Sequence, residues 1–220
     1  FGWKSFDYAE KFQTPVIVLS DLDLGMNLWI TKKFAYPDKP MDRGKVLWEE
    51  DLEAMSKEWG RYLGLDGDGV PYRTIMGNKH KNAPYFARGT GHDEFGNYSE
   101  NPDVWRRVMD RIKRKFETIK EQLPEPQYRV IEGAEIGLIG MGSTEPALIE
   151  AQDRLEDMGI KTDYMRVRSL PFSEEVGGFI QSHAQNYVVE LNRDGQLHKI
   201  LTTEFCKKAD RLTSLSYIDG

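Results

Sequence analysis

Ile136-Gly137-Leu138-Ile139-Gly140-Met141-Gly142-Ser143-Thr144-Glu145-Pro146 decides the fold. Six apolar or small residues make a strand of the length found in buried sheets. Gly142 suits a tight turn, Ser143 or Thr144 is a capping residue type, and Pro146 fits a first helical turn. The spacing predicts a strand over 136–141 and a helix from Pro146 to Met158, stopped by Gly159. Lys161 to Val167 reads as a second strand, so the segment is a βαβ unit. Beyond it, Glu174 to His183 predicts a helix, Asn186 to Leu191 a strand and Gln196 to Lys207 a helix, with a last strand over Leu215 to Ile218 before Asp219-Gly220. Strand and helix in alternation predict an α/β fold with an open parallel sheet over 128–220.

Working back towards the N-terminus, Pro102 opens a helix over 102–122. Val104, Trp105, Val108, Ile112, Phe116 and Ile119 recur near the helical period. Pro124 and Pro126 end it, and 102–127 is read as helix and linker. Residues 31–101 are rich in Gly, Pro, Asn, Asp and Tyr and predict long ordered loops, with one short helix around Glu49 to Arg61. A loop region of this length is usually functional. Thr14-Pro15-Val16-Ile17-Val18-Leu19-Ser20-Asp21 has the pattern of a central parallel strand buried on both faces. Phe6 to Phe12 reads as the end of a helix that began earlier. The opening Phe1-Gly2-Trp3-Lys4 has no Met, so a piece of a longer chain is expected.

The chain has 220 residues, 39% of them hydrophobic and 30% charged, with a net charge of −6. An acidic surface argues against a general nucleic-acid binder, because phosphate binding needs basic groups. Its one cysteine, Cys206, excludes an internal disulfide and a cluster held by about four thiolates of this chain. Apolar runs fall short of the roughly 18–20 residues that cross a bilayer, so no membrane role is expected. A cytoplasmic location is the simplest setting.

Several motifs carry competing readings. The Gly140-Met141-Gly142-Ser143-Thr144-Glu145 loop can hold a phosphate on free helix N–H groups. The third glycine of the dinucleotide fingerprint is absent and Glu145 repels anions, so a capped helix start is favoured. Gly67-Asp68-Gly69 resembles the opening of a diphosphate–magnesium motif, but the apolar strand before it and the paired asparagines after it are missing. A glycine-rich turn is favoured, and no metal ligand is assigned. Arg88-Gly89-Thr90-Gly91-His92-Asp93-Glu94 gathers a guanidinium, an imidazole and two carboxylates on one loop. Arg88 can pair with a substrate carboxylate and His92 beside Asp93 can gate a proton, while a solvated loop is the plainer alternative. Glu190-Leu191-Asn192-Arg193-Asp194-Gly195-Gln196 lies at a strand's C-terminal end. Asp194 there can cap the next helix, and Glu190, Asn192, Arg193 and Gln196 are candidates for an interface. Arg106-Arg107, Arg111 and Lys113-Arg114-Lys115 give the long helix a basic face, either solvated or docked on an acidic partner.

Ordered segments along the whole chain resemble one family. They include Gln13-Thr14-Pro15-Val16-Ile17-Val18-Leu19-Ser20-Asp21-Leu22-Asp23-Leu24-Gly25-Met26-Asn27 and Tyr36-Pro37-Asp38-Lys39-Pro40-Met41-Asp42-Arg43-Gly44. Asp66-Gly67-Asp68-Gly69-Val70-Pro71-Tyr72-Arg73-Thr74, Tyr85-Phe86-Ala87-Arg88-Gly89-Thr90-Gly91-His92 and Val188-Val189-Glu190-Leu191-Asn192-Arg193-Asp194-Gly195-Gln196 continue the series. Together they are similar to the C-terminal part of alpha subunits of 2-oxoacid:ferredoxin oxidoreductases, of the 2-oxoglutarate type.

The resemblance implies oxidative decarboxylation of a 2-oxoacid on thiamine diphosphate. Electrons pass through a [4Fe–4S] cluster to ferredoxin, and the acyl group passes to coenzyme A. It further implies a beta subunit, in an alpha–beta heterodimer or its dimer. Thiamine diphosphate, Mg2+ and the cluster would lie mainly outside this chain, which alone is expected to be inactive. Residues 1–30 would be the last helix and strand of a pyrimidine domain, 31–101 a connecting segment, and 128–220 a transketolase C-terminal-like domain. A family loop near the active site is matched by Arg88 to Asp93, making Arg88, His92 and Asp93 its candidates, with no catalytic residue assigned. Pyruvate or another 2-oxoacid as substrate, and an inactive assembly module, stand as alternatives.

Overall fold

A computed structural model of the protein describes residues 1–218. In chain order the elements are α1 (Gly2–Phe12), α2 (Leu22–Met26), α3 (Glu49–Ala54), α4 (Pro102–Lys120), β1 (Gln127–Arg129), β2 (Ile136–Met141), α5 (Glu145–Asp157), β3 (Thr162–Val167), α6 (Glu174–Ser182), β4 (Gln185–Glu190), α7 (Gln196–Glu204) and β5 (Leu212–Ser216). They form two units. The first comprises Phe1–Leu19 and Lys32–Gln122, and the second Ser20–Thr31 and the chain from Leu123 onward.

The second unit is a layered α/β sheet with strand order β1-β3-β2-β4-β5. β2 lies at its centre, parallel to β3 on one side and β4 on the other, and β4 is parallel to β5. β1 is an antiparallel edge strand that the sequence did not suggest. Side chains alternate across a strand, so neighbours on β2 enter different cores. Ile139 packs with Met165, Val188, Ile180, Leu201 and Leu212 on one face. Leu138 packs with Leu148, Tyr164 and Tyr187 on the other. Two strand glycines are set by close approach. A Cβ on Gly137 would sit 2.2 Å from Asn186 Oδ1, and one on Gly140 would sit 2.5 Å from Leu148 Cδ1.

Buried polar groups on this sheet are tied to its backbone. Gln152 donates to the Thr162 carbonyl at 2.7 Å, and Asn186 to the Ile180 carbonyl at 3.1 Å. His183, 3% exposed, has Nδ1 2.8 Å from the Phe179 carbonyl and Nε2 3.0 Å from Asp163 Oδ2.

The first unit is mostly loop, and it depends on clasps more than on elements. α4 begins at Asn101, whose side chain accepts from Asp103 N at 2.8 Å, followed by Pro102. A small core of Leu47, Leu52, Trp59 and Ala83 sits under the loops. Trp59 Nε1 donates to the Asn82 carbonyl, and Asn78 reaches the Leu47 carbonyl. Lys45 joins Asp66 and Asp68, and Glu10 joins Arg73.

The structure corrects four expectations. Residues 14–21 form no strand among the described residues, and from 15 to 20 they are exposed, Ile17 by 80% and Leu19 by 71%. A β-branched run needs flanking strands to bond its backbone, and all five strands of the sheet pair with one another instead. The short helix stops at Ala54, because Met55 already has extended backbone at ψ 122°. Neither Ser143 nor Thr144 caps α5 through its side chain, since Thr144 Oγ1 donates to the Met141 carbonyl. The last strand begins earlier than expected, at Leu212.

Ile139 is fully buried between β-sheet neighbours and helix side chains. Ile139→Ala is expected to lower unfolding free energy by about 2–5 kcal/mol, whereas exposed Lys199→Ala should change it by less than about 0.5 kcal/mol. Urea denaturation followed by circular dichroism measures both.

Candidate functional site

Residues 85–101 form a clasped loop in the first unit. His92 and Tyr98 make an isolated antiparallel bridge, closed by Ser99 N to Gly91 O and Asp93 N to Asn97 O. Glycine is required at two crossings. A Cβ on Gly91 would meet Ser99 O at 2.5 Å, and one on Gly96, where φ is +85°, would meet Phe86 O at 2.6 Å.

The three predicted residues fall together here but do different things. Asp93 is consumed by the turn. Its Oδ1 accepts from Phe95 N and Asn97 N at 2.9 Å, and its Oδ2 from Asn97 Nδ2 at 3.1 Å. Partial burial works to raise its pKa, but the hydrogen bonds from Asn97 and Phe95 outweigh it and hold the carboxyl below its ordinary value. His92 stacks on Tyr62 with ring centroids 4.0 Å apart, and its Nδ1 lies 2.8 Å from the Asp93 carbonyl. The imidazole thus faces the backbone of Asp93 and not its carboxylate, which removes the proton-gating pair expected from the sequence.

Arg88 keeps its chemistry available. Its backbone N–H donates to Tyr62 Oη at 3.1 Å, and its Nε to the Gly96 carbonyl at 3.3 Å. The guanidinium lies 5.2 Å from the Phe86 ring centroid and 5.9 Å from that of Tyr98. Neither terminal nitrogen has a protein partner among the described residues. An aromatic-backed guanidinium with its fork free is suited to a carboxylate. Beside Tyr98 is an open pocket of about 340 Å3 walled by Thr90, Gly91, Ser99, Glu100 and Trp105. The Tyr98 hydroxyl bonds to Glu100, which raises its pKa.

Sequence reasoning missed Tyr62, which holds both Arg88 and His92, and the Glu94–Arg107 pair at 2.8 Å that ties the loop to α4. Tyr62 stands outside the loop with no motif to mark it, and Glu94, although within the loop motif, has its partner on α4. Asp66 and Asp68 in the glycine-rich turn converge on Lys45. Among the described residues no group of three or more His, Cys, Asp or Glu side chains is arranged to hold a metal ion.

In the second unit, the C-terminal edge of the sheet is filled from within. Asp21 accepts from Leu24 N through Oδ1 and from Ser143 N through Oδ2, both at 2.8 Å. A carboxylate of the chain thus occupies the Gly140–Thr144 loop. These amide donors hold the Asp21 carboxyl below its usual range. Glu190, 2% exposed, accepts from Leu197 N and His198 N at the start of α7 and from Asn192 Nδ2. It is the cap that the sequence assigned to Asp194, which instead pairs with Arg193. Asn192 Oδ1 accepts from Asp194 N and Gln196 N. Glu190 and Asn192 are therefore committed to the α7 start, while the side chains of Arg193 and Gln196 are exposed.

No family model matches the chain. It is 32% identical over 224 residues to 2-oxoacid:ferredoxin oxidoreductase 2, subunit alpha, of Aeropyrum pernix, covering 99% of this chain and 33% of that protein. It is 23% identical to the 2-oxoglutarate synthase subunit KorA of Methanocaldococcus jannaschii, covering 100% of this chain and 56% of that subunit. The fold matches 2-oxoglutarate:ferredoxin oxidoreductase from Magnetococcus marinus, solved with 2-oxoglutarate, coenzyme A and succinyl-CoA bound. That match has a TM-score of 0.82 at 24% identity and covers 97% of this chain and 36% of that one. The chain thus spans about a third of the length of the Aeropyrum relative. The family read from the sequence motifs is the family of these relatives.

Two measurements test the clasps. Asp93→Ala should speed exchange of the Phe95 and Asn97 amides roughly fivefold, the equivalent of about 1 kcal/mol per lost hydrogen bond; unchanged protection would mean the loop closes without the carboxylate. Asp21→Ala should cost about 1 kcal/mol near pH 7. Because the folded Asp21 carboxyl is depressed, its contribution is present above the ordinary carboxylate pKa and fades below about pH 4. Denaturation curves of variant and parent should therefore converge in acid.

Proposed function

We propose that this chain is the C-terminal part of the alpha subunit of a 2-oxoacid:ferredoxin oxidoreductase of the 2-oxoglutarate type. The observation that carries the reading is similarity to alpha subunits along 99% of the chain at 32% identity. On this reading a 2-oxoacid is oxidatively decarboxylated in the cytoplasm, its acyl group goes to coenzyme A and its electrons go to ferredoxin. A beta subunit completes the enzyme, as an alpha–beta heterodimer or a dimer of it.

The reactive groups sit mainly outside this chain. One cysteine, exposed Cys206, cannot supply the four thiolates of an iron–sulfur cluster. Asp66 and Asp68 are paired with Lys45, so they do not fit a magnesium diphosphate site. Thiamine diphosphate, when bound elsewhere in the enzyme, supplies the carbanion chemistry, and no step is assigned to residues here. The contribution of this chain is positional. The exposed apolar run Val16 to Leu19 supports pairing into a pyrimidine-domain sheet completed by other segments. The second unit corresponds to the transketolase C-terminal-like domain, with Arg193 and Gln196 available for assembly contacts. Arg88 binds the oxoacid carboxylate, with Tyr62 and the aromatic rings of Phe86 and Tyr98 holding it.

The assembled enzyme is expected to reduce a viologen dye with 2-oxoglutarate and coenzyme A, and this chain alone is not. Faster reduction with pyruvate would move the enzyme to another substrate class within the family, and none with any 2-oxoacid would leave an assembly module. Arg88→Ala should raise the KM for 2-oxoglutarate at least tenfold with a smaller fall in kcat, matching the loss of about 1.5–3 kcal/mol for a charged hydrogen bond. Unaltered saturation would remove Arg88 from the substrate site.

A further inference from the structure

The basic residues of α4 do not all face water. Arg106 pairs with Asp103, and Arg107 with Glu94. Arg111 and Lys115 turn inward and are only half-exposed. Their polar contacts are neutral: Arg111 Nη1 donates to the Gly69 carbonyl at 2.9 Å, and Lys115 Nζ to the Gln13 carbonyl at 3.3 Å. Arg61 lies close by, its guanidinium 5.3 Å from the Tyr62 ring and 5.5 Å from the Tyr85 ring. Burial lowers the pKa of both Arg111 and Lys115, and the charge of Arg61 lowers each further. Arg111 adds to the effect on Lys115. Cations that repel one another in a partly dry site destabilise the fold unless an anion joins them.

A pocket of about 290 Å3 opens beside this cluster, walled by Tyr62, Gly64, Gly69, Asp110, Arg111 and Arg114. Its floor is fixed, because a Cβ on Gly69 would come within 2.5 Å of the α4 backbone, and Thr118 Oγ1 donates to the Asp68 carbonyl. Glu94 reaches the rim with its carboxylate held by Arg107 through two hydrogen bonds. Among the described residues Arg61, Arg111, Arg114 and Lys115 have no carboxylate partner, and Asp110 is the unpaired acid in the wall. This excess of positive charge exceeds what a monoanion neutralises. Guanidinium forks also match the several oxygens of a phosphate.

We infer that the pocket between the Gly64–Gly69 turn and α4 binds a phosphate-bearing small molecule, with Arg111 and Arg114 as its contacts and Arg61 and Lys115 supplying field. The probe is sodium pyrophosphate, titrated calorimetrically into the purified full-length subunit at ionic strength balanced with KCl. Saturable binding is expected, weakened at least tenfold in Arg111→Gln and in Arg114→Gln and unchanged in Arg106→Gln. Arg114 is exposed and makes no structural contact among the described residues, so its substitution tests the site even where Arg111→Gln disturbs the turn. Succinate should bind at least tenfold more weakly than pyrophosphate. Equal binding of succinate would overturn the phosphate assignment. A response that KCl reproduces, or that Arg114→Gln leaves intact, would overturn the site itself.

Discussion

The second unit depends on how closely other atoms approach the central strand. Gly137 and Gly140 carry no side chain, which lets Asn186 come against one and Leu148 with Thr144 against the other. With that spacing, Leu138 and Ile139 enter opposite layers and the sheet is covered on both faces. Gln152, Asn186 and His183 are then buried with backbone or carboxylate partners, which is the condition for tolerating polar groups inside. The same geometry places the ends of β2 and β4 side by side. Each is closed by a carboxylate of the chain, Asp21 on the Ser143 amide and Glu190 on the first amides of α7. The edge where open α/β sheets commonly take ligands is here stabilised by internal anions.

The first unit solves a different problem. Its loops have too few apolar residues in register to build layers, and they are held by point contacts. Tyr62 joins Arg88 and His92, Glu94 joins Arg107, and Lys45 joins two aspartates. Such contacts are individually modest when partly exposed. They act together because glycines at the crossings allow backbone to meet backbone. The outcome is a loop whose aspartate is structural and whose arginine is free. Catalytic and binding residues are commonly presented in this way, on loops held by a rigid frame.

Charge follows the same division. Several ion pairs join an exposed cation to an acid, but the inner side of α4 keeps Arg111 and Lys115 beside Arg61 with carbonyl oxygens as their hydrogen-bond partners. An acidic chain of net charge −6 therefore holds a local positive site that its overall composition hides. Composition reports the sum of charges, and binding responds to where they lie.

The sequence by itself determined the elements of the second half. Period, glycine stops and β-branched runs reported its strands and helices to within a few residues, except the short edge strand β1, because local propensity and burial agree there. It also located the one loop where Arg88, His92 and Asp93 meet, and the family that its motifs resemble. Tertiary structure decided the roles. Asp93 became a turn residue, Glu190 took the cap expected of Asp194, and Asp21 filled the Gly140–Thr144 loop from 122 positions away. The Asp21 contact joins segments with no shared local pattern, while Asp93 and Glu190 bond to amides nearby in sequence, where several polar side chains compete for the same donors. The run from Thr14 to Asp21 shows the converse. Its composition states how strongly it can be buried, but a strand exists only where another strand bonds to it.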